Sequence, residues 1–127
     1  MGIGTDILLI SRMEKILGDA EALEIFLKRN FTQKEILLIN SVPRPSRRYA
    51  GHFAGKEAVF KSLDLDSNIS YSFCEIEILY NQNGVPQVFF HGDIRRIVEK
   101  KGIQSVMLSL SYDGEYALAF ASSESDR

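Results

Sequence analysis

The helix that decides the fold occupies residues 46–63, which read SRRYAGHFAGKEAVFKSL. Tyr49, Phe53 and Phe60 form an apolar line along this segment, and small residues lie beside that line (Ala50, Gly51, Ala54, Gly55 and Ala58). It is the longest helical pattern in the chain, and its small residues let other backbone or a ligand approach closely. We therefore predict that a sheet packs against this helix.

Strand-like segments lie on both sides of the helix. Residues 2–10 are apolar and partly β-branched, which predicts a buried strand that carries one acidic residue, Asp6. Asn83-Gly84 separates two strand-like runs at 71–80 and 85–90, and this arrangement is typical of a hairpin. A second hairpin is predicted where Tyr112–Glu115 separates the runs 105–110 and 116–121.

Shorter helices are predicted between the strands. Residues 11–28 have an approximate helical pattern that is broken near Gly18, and residues 93–101 form a short amphipathic segment. Thr32 and Glu35 have the spacing of a capping box, which places the start of another helix there. The order of helices and strands predicts an α+β fold with a mostly antiparallel sheet.

Composition limits the class of protein. The 127 residues include 15 Lys+Arg and 17 Asp+Glu, so the net charge is −2, and 45% of the residues are hydrophobic. These values predict one globular domain over residues 1–127 and exclude a wholesale polyanion binder, so we expect no nucleic acid partner. No apolar run approaches 18 residues and no leader pattern is present, so we expect a cytoplasmic protein without a membrane partner. One cysteine, Cys74, excludes a disulfide framework within the chain.

Two features of the sequence carry candidate chemistry. Asp6 is a carboxylate inside an apolar strand, where it either binds a cation or forms a cap or salt bridge at the strand end. Residues 44–61 contain five basic side chains and only one acidic one, Glu57, so this segment has a charge of +4. Glu57 beside Lys56 and Lys61 suits a metal–phosphate site. The alternative is a solvated helix face with a Glu57–Lys61 pair.

Other candidates are weaker. His52 and His91 have no metal-ligand spacing, which makes a zinc site improbable. Ser109 and Ser111 lack the turn and the histidine partner of a nucleophilic serine, and alternate serines are typical of one face of a hairpin.

Taken in order, the segments resemble the holo-acyl-carrier-protein synthase family of 4′-phosphopantetheinyl transferases. The matching stretches cover nearly the whole chain. They are GIGTDI at 2–7 with Arg12, Phe31-Thr32 with Glu35, FAGKEA at 53–58 with Lys61, Asn83-Gly84 with Pro86, and LSLS at 108–111. The GIGTD start combined with FAGKEAVFK is the most specific part of the resemblance.

The resemblance implies a reaction and a set of residues. The family transfers the phosphopantetheine arm of coenzyme A to a serine of apo-acyl carrier protein, in fatty acid biosynthesis, and releases adenosine 3′,5′-bisphosphate. By matching position, Asp6 and Glu57 are the expected Mg²⁺ ligands, and Glu57, directly or through a metal-bound water, would take the serine proton. Lys56 and Lys61 are expected to face the pyrophosphate, and Lys61 joins Glu57 as a catalytic residue.

The remaining expected contacts are also implied by the resemblance. Arg12 and its helix are expected to meet the acidic carrier protein. The nucleotide part of coenzyme A is expected to lie near Arg44, His52, Gly84, Pro86, Ser109 and Ser111. The resemblance further implies a homotrimer with sites at subunit interfaces, because one copy of the domain supplies only one wall of the site.

The chain departs from the family pattern at four positions. Met107 and Tyr112 stand where many members have histidine, His52 stands where an arginine is usual, and Gly55 replaces an alanine. With His52 near a phosphate, coenzyme A binding is expected to weaken above about pH 6.5. The competing hypothesis is a catalytically degenerate module of the same fold that binds carrier protein or nucleotide.

Overall fold

The computed structural model describes residues 1–66 and 68–125. Its elements in chain order are β1 (Gly2–Leu9), α1 (Ile10–Leu17), α2 (Ala20–Asn30), α3 (Gln33–Asn40), α4 (Pro45–Ser62), β2 (Ile76–Tyr80), β3 (Pro86–Phe90), α5 (Gly92–Lys100), β4 (Ile103–Asp113) and β5 (Tyr116–Ser125). A short 3₁₀ turn, Phe73–Glu75, precedes β2. The predicted α+β class is confirmed.

The strands form a three-stranded sheet in the order β1-β5-β4 and a two-stranded sheet, β2-β3. Every pair is antiparallel, and both predicted hairpins are present. Gly84 and Gly114 lie in the two hairpin turns with φ angles of 79° and 56°. Glycine adopts such positive φ angles without the steric cost that a β-carbon brings.

The long helix α4 packs across the three-stranded sheet and forms the centre of the core. Its alanines Ala50, Ala54 and Ala58 are fully buried. A β-carbon added at Gly4 of β1 would lie 2.0 Å from the carbonyl oxygen of Ala58. Small residues on both elements therefore allow β1 and α4 to approach at backbone distance, as the sequence predicted for the helix.

Local signals set the helix boundaries. Asp19 accepts hydrogen bonds from the backbone at the start of α2, so the predicted break after Gly18 separates two helices. Thr32 and Glu35 form the predicted capping box of α3. Arg44, with a φ angle of 57°, separates α3 from α4. None of the helices within 1–66 and 68–125 has the length and apolarity needed to cross a bilayer.

Two predicted strands differ from the structure. β1 is an edge strand rather than a buried one, and Ile3 and Ile7 are exposed on the side of the sheet opposite α4. The predicted strand 71–80 begins only at Ile76, because Ser72 and Glu75 form a capping box that starts the 3₁₀ turn. Alternating apolar residues in that segment were insufficient to override this local cap.

Candidate active site

The close crossing of β1 and α4 brings Asp6 next to Lys61. The Lys61 Nζ lies 3.6 Å from Asp6 Oδ1 and donates a hydrogen bond to the Thr5 carbonyl oxygen at 2.9 Å. The side chains of Lys61 and Asp6 keep 52% and 21% of their exposure. Residues that are 55 positions apart in the sequence thus form one solvent-accessible charged cluster, in which Lys61 turns towards β1.

Glu57 completes this cluster, which we call the outer site (Asp6, Glu57 and Lys61). Burial raises the pKa of Glu57, and the negative charge of Asp6 raises the same pKa further, while Lys61 opposes both effects. The two carboxylates are therefore close enough to repel each other. A bound cation relieves such repulsion.

The donor set of the outer site fits Mg²⁺. Mg²⁺ in proteins is commonly held by one or two carboxylates, and waters and substrate phosphates supply its other ligands. Within residues 1–66 and 68–125, no group of three or more His, Cys, Asp and Glu side chains is arranged to hold a metal. A two-carboxylate site that shares its ion with a phosphate is thus the arrangement that Asp6 and Glu57 can provide.

The prediction that Lys56 faces the pyrophosphate is wrong. Lys56 is fully buried, and its Nζ donates to Glu35 Oε1 at 2.7 Å and to the carbonyl oxygens of Phe73 and Ile76 at 2.9 and 2.5 Å. An ammonium group has three donors, and all three are used inside the protein. Lys56 therefore adds no charge to the outer site, and the +4 segment is not one continuous basic surface.

His52 requires the same correction, because it is fully buried and cannot contact a nucleotide phosphate. Its Nδ1 lies 2.9 Å from Glu35 Oε2, and its Nε2 lies 3.0 Å from the Tyr80 hydroxyl. Burial lowers the pKa of His52, and burial raises the pKa of Tyr80 to about 12. A neutral His52 that donates to Glu35 and accepts from Tyr80 satisfies both ring nitrogens, so the expected effect of this residue on coenzyme A binding has no structural basis.

Sequence reasoning missed the partner of these two residues, Glu35. It was identified as a helix cap, but its carboxylate is also fully buried against Lys56 and His52. Burial acts to raise the pKa of Glu35, yet the hydrogen bond from His52 and the charge of Lys56 lower it overall. A signal was available, since Lys56 interrupts a face of α4 made of small and apolar residues.

The other predicted residues do not converge on the outer site within one chain. Arg44 precedes α4, and the 13 residue steps from it to Glu57 span about 20 Å of helix. Gly84 lies in the β2–β3 turn, and Pro86 lines a groove between β3 and β4. Arg12 is exposed on α1.

Ser109 and Ser111 lie on the exposed face of the three-stranded sheet. Asp6 is paired with the buried Ala119, and successive residues of a strand point to opposite faces. The serines and Asp6 are therefore on opposite faces. The face that carries the serines, which we call the open face, also exposes large apolar side chains: Ile3, Ile7, Met107, Tyr116, Leu118 and Phe120.

Comparison with known proteins decides the family. Residues 2–121 match the model of the 4′-phosphopantetheinyl transferase superfamily. The chain belongs to this superfamily. A transferase relative, the holo-[acyl-carrier-protein] synthase of Caldanaerobacter subterraneus subsp. tengcongensis, is 37% identical over 119 residues, which are 94% of this chain and 91% of the relative.

Solved structures of transferases agree with the fold. The holo-[acyl-carrier-protein] synthase of Helicobacter pylori, determined in complex with coenzyme A, is 30% identical with a TM-score of 0.82, and the match covers 96% of this chain and 99% of that one. The Neisseria meningitidis holo-[acyl-carrier-protein] synthase is 32% identical with a TM-score of 0.83, and 97% of each chain is covered. The predicted phosphopantetheinyl transferase-like fold is thereby confirmed.

Proposed function

We propose that this protein is a cytoplasmic enzyme that transfers the 4′-phosphopantetheine arm of coenzyme A to a serine of apo-acyl carrier protein. The observation that carries the proposal is the outer site, where two carboxylates and a lysine from β1 and α4 meet at an accessible surface. The family membership and the coenzyme A complex of the Helicobacter pylori relative support this substrate.

The residues of the outer site have distinct roles in the proposed reaction. Asp6 and Glu57 hold Mg²⁺, which, when bound, neutralises charge on the pyrophosphate. Lys61 stabilises the negative charge that develops on the phosphate oxygens, because its ammonium group is accessible and held next to Asp6.

The proposed transfer is a single displacement at the phosphorus that carries pantetheine. The serine oxygen of the carrier protein forms a bond to the phosphorus that carries pantetheine, and the bond from that phosphorus to the bridging oxygen breaks. The leaving oxygen keeps the electron pair and departs as part of adenosine 3′,5′-bisphosphate. Glu57 accepts the serine proton, directly or through an intervening water.

The nucleotide and the carrier protein are proposed to contact residues outside this cluster. Arg44, Gly84, Pro86, Ser109 and Ser111 are proposed for coenzyme A, and Arg12 for the acidic carrier protein. Because these residues lie far from the outer site or on another face, we propose that two subunits combine to form each complete site. Lys56 and His52 have no part in this set.

The open face supports association of subunits, for which we propose the homotrimer that the family resemblance implies. Ile7 lies directly opposite Leu118 in the sheet register, and Phe120 lies between Thr5 and Ser109. A large exposed apolar patch on a sheet marks an interaction surface. Phe120→Glu should convert the trimer to monomers in sedimentation experiments, whereas Ile25→Glu on α2 should not. A wild-type monomer under active conditions would refute the assembly.

The transfer reaction is tested by incubating the protein with apo-acyl carrier protein, coenzyme A and Mg²⁺. Intact-mass spectrometry should detect the added arm on the carrier serine, and Asp6→Asn should abolish the addition. Glu99→Gln removes an exposed carboxylate on α5 and serves as the matched control with normal transfer. Absence of transfer to a competent carrier by the wild-type protein would support the degenerate binding module instead.

A further inference from the structure

The buried polar cluster on the other side of α4, which we call the inner network (Glu35, His52, Lys56 and Tyr80), is fully hydrogen-bonded. Glu35 Oε1 accepts from the Thr32 backbone at 3.0 Å and from Lys56, and Oε2 accepts from His52 and from the Ile78 backbone at 3.1 Å. Each oxygen thus has two donors. No unused donor or acceptor remains on the Glu35 carboxylate for a ligand.

The inner network joins three separate parts of the fold. Glu35 belongs to α3, Lys56 and His52 belong to α4, and Tyr80 ends β2. Lys56 also reaches the carbonyl oxygens of Phe73 and Ile76, at the turn before β2. The contacts therefore tie α4 to α3 and to the start and end of β2.

Burying charged side chains costs desolvation free energy, so the inner network is an inefficient way to fix α4 if it supplies stability alone. A buried ion pair is often no more stabilising than well-packed apolar residues of the same volume. What a saturated ion pair does supply is a defined direction, because a lysine with three acceptors fits in one orientation only. By contrast, α4 meets β1 through Ala58, Ser62 and Lys61, whose side chains are short or half-exposed and resist rotation about the helix axis less than a buried ion pair does.

The direction of Lys56 determines the direction of Glu57. Successive residues of an α-helix are separated by about 100° around its axis. When Lys56 points to Glu35, Glu57 is turned to the side of α4 where Asp6 lies, and Lys61 follows one turn later on that same side. A small rotation of α4 would move both side chains of the helix away from Asp6.

We propose that Glu35 and Lys56 are positioning residues, whose buried ion pair sets the rotation of α4 so that Glu57 is held against Asp6 for metal binding. This inference rests on the proposed function of the outer site. It assigns to Lys56 an action through Glu57, without contact to substrate.

The test measures Mn²⁺ binding in the absence of coenzyme A, from the loss of the free-ion electron paramagnetic resonance signal. The deciding variant is Glu35→Gln combined with Lys56→Met, which removes both charges and leaves neither partner as an unpaired buried ion. We expect its Mn²⁺ affinity to fall about 10-fold or more, as for other residues that orient metal ligands. Ile39→Ala, a cavity variant in the core of α3, should destabilise the fold and keep normal affinity.

Each outcome of this experiment decides one claim. A wild-type protein that binds Mn²⁺ no better than Asp6→Asn overturns the metal site itself, and the inference with it. If Asp6→Asn loses affinity while the folded double variant keeps it, the inference alone is overturned. Glu35→Gln combined with Lys56→Gln, which also leaves no unpaired buried ion, decides if the first double variant does not fold, with an expected loss of about 10-fold or more. Failure of both variants to fold would overturn the inference, because a positioning pair acts on orientation and leaves a folded protein.

Discussion

The two charged clusters on α4 contain the same chemical groups and differ in almost every physical property. The inner network buries its carboxylate and its lysine completely and uses all of their donors and acceptors. The outer site leaves Asp6 and Lys61 accessible and places two carboxylates close enough to repel each other. Lys56 and Glu57 are neighbours in the sequence, yet they belong to different clusters.

This difference shows what distinguishes a structural ion pair from a reactive site. A saturated cluster has no capacity for a ligand, whereas an accessible cluster with excess negative charge attracts a cation. The inner network fixes the position of α4, and the outer site depends on that position for the placement of Glu57 and Lys61. Substitutions in the two clusters should therefore change different measurements.

The largest expected effect is on stability. Lys56→Met should lower the free energy of unfolding by about 3–5 kcal/mol, because Glu35 is left as an unpaired buried charge. Lys61→Met should lower it by less than about 1 kcal/mol, since Lys61 is half-exposed and lies 3.6 Å from Asp6. Urea denaturation of the two variants measures the difference. Equal losses would remove the distinction between the two lysines.

The next effect is on catalysis. Glu57→Gln should slow transfer by about 10²–10³-fold, the range found when one transition-state contact is removed, and added Mg²⁺ should not restore it. Glu35→Gln should slow transfer at low Mg²⁺, and the rate should recover as the Mg²⁺ concentration rises. The reason is that the metal ligands Asp6 and Glu57 are intact in this variant but poorly oriented. Rates measured across a Mg²⁺ series distinguish the two behaviours. Recovery of Glu57→Gln at high Mg²⁺ would contradict its assignment as the group that accepts the serine proton.

A smaller effect concerns pH. Burial lowers the pKa of His52 below its ordinary value of 6.5. Below pH 6.5 the unfolded chain binds a proton that the folded protein does not. The free energy of unfolding should therefore decrease as the pH is lowered from about 6.5 to about 5, by at most about 1.4 kcal/mol per pH unit.

The groups that face His52 are Glu35, Lys56, Arg48 and Tyr80. None of their ordinary pKa values falls inside the window from pH 5 to 6.5. His52→Gln should therefore flatten the pH dependence of unfolding measured by urea. An unchanged slope in this variant would show that His52 does not titrate on unfolding.

The smallest effect is at the end of the inner network. Tyr80→Phe removes the hydrogen bond to His52 Nε2 and should lower the free energy of unfolding by about 1 kcal/mol. Its Mn²⁺ affinity should change less than that of Glu35→Gln, because the contacts between Glu35 and Lys56 remain. If Tyr80→Phe lost more Mn²⁺ affinity than Glu35→Gln, the positioning role would belong to another part of the inner network than the Glu35–Lys56 pair.

The sequence predicted the elements that depend on local signals. The capping box at Thr32, the break after Gly18 and the two hairpins are encoded within a few residues each, and the structure contains all of them. The 3₁₀ turn before β2 was missed, although the cap formed by Ser72 and Glu75 is equally local.

The roles of the charged residues were less accessible to sequence reasoning. Whether a lysine is exposed depends on elements that are distant in the chain, and Lys56 is neutralised by Glu35, which lies 21 residues away. The family resemblance placed His52 near phosphates, because a matching position in the sequence does not show which element faces that side chain in this chain. The grouping of Asp6 with Glu57 and Lys61 was implied by family resemblance, and the close crossing at Gly4 gives its physical cause.

The most direct test of the two-cluster account is a crystal structure of the protein grown with coenzyme A and Mn²⁺, recorded with anomalous data. We expect an anomalous peak in contact with the carboxylates of Asp6 and Glu57, Lys61 next to the pyrophosphate, and Lys56 still bound to Glu35. A peak elsewhere, or Lys56 turned outward to the pyrophosphate, would contradict it.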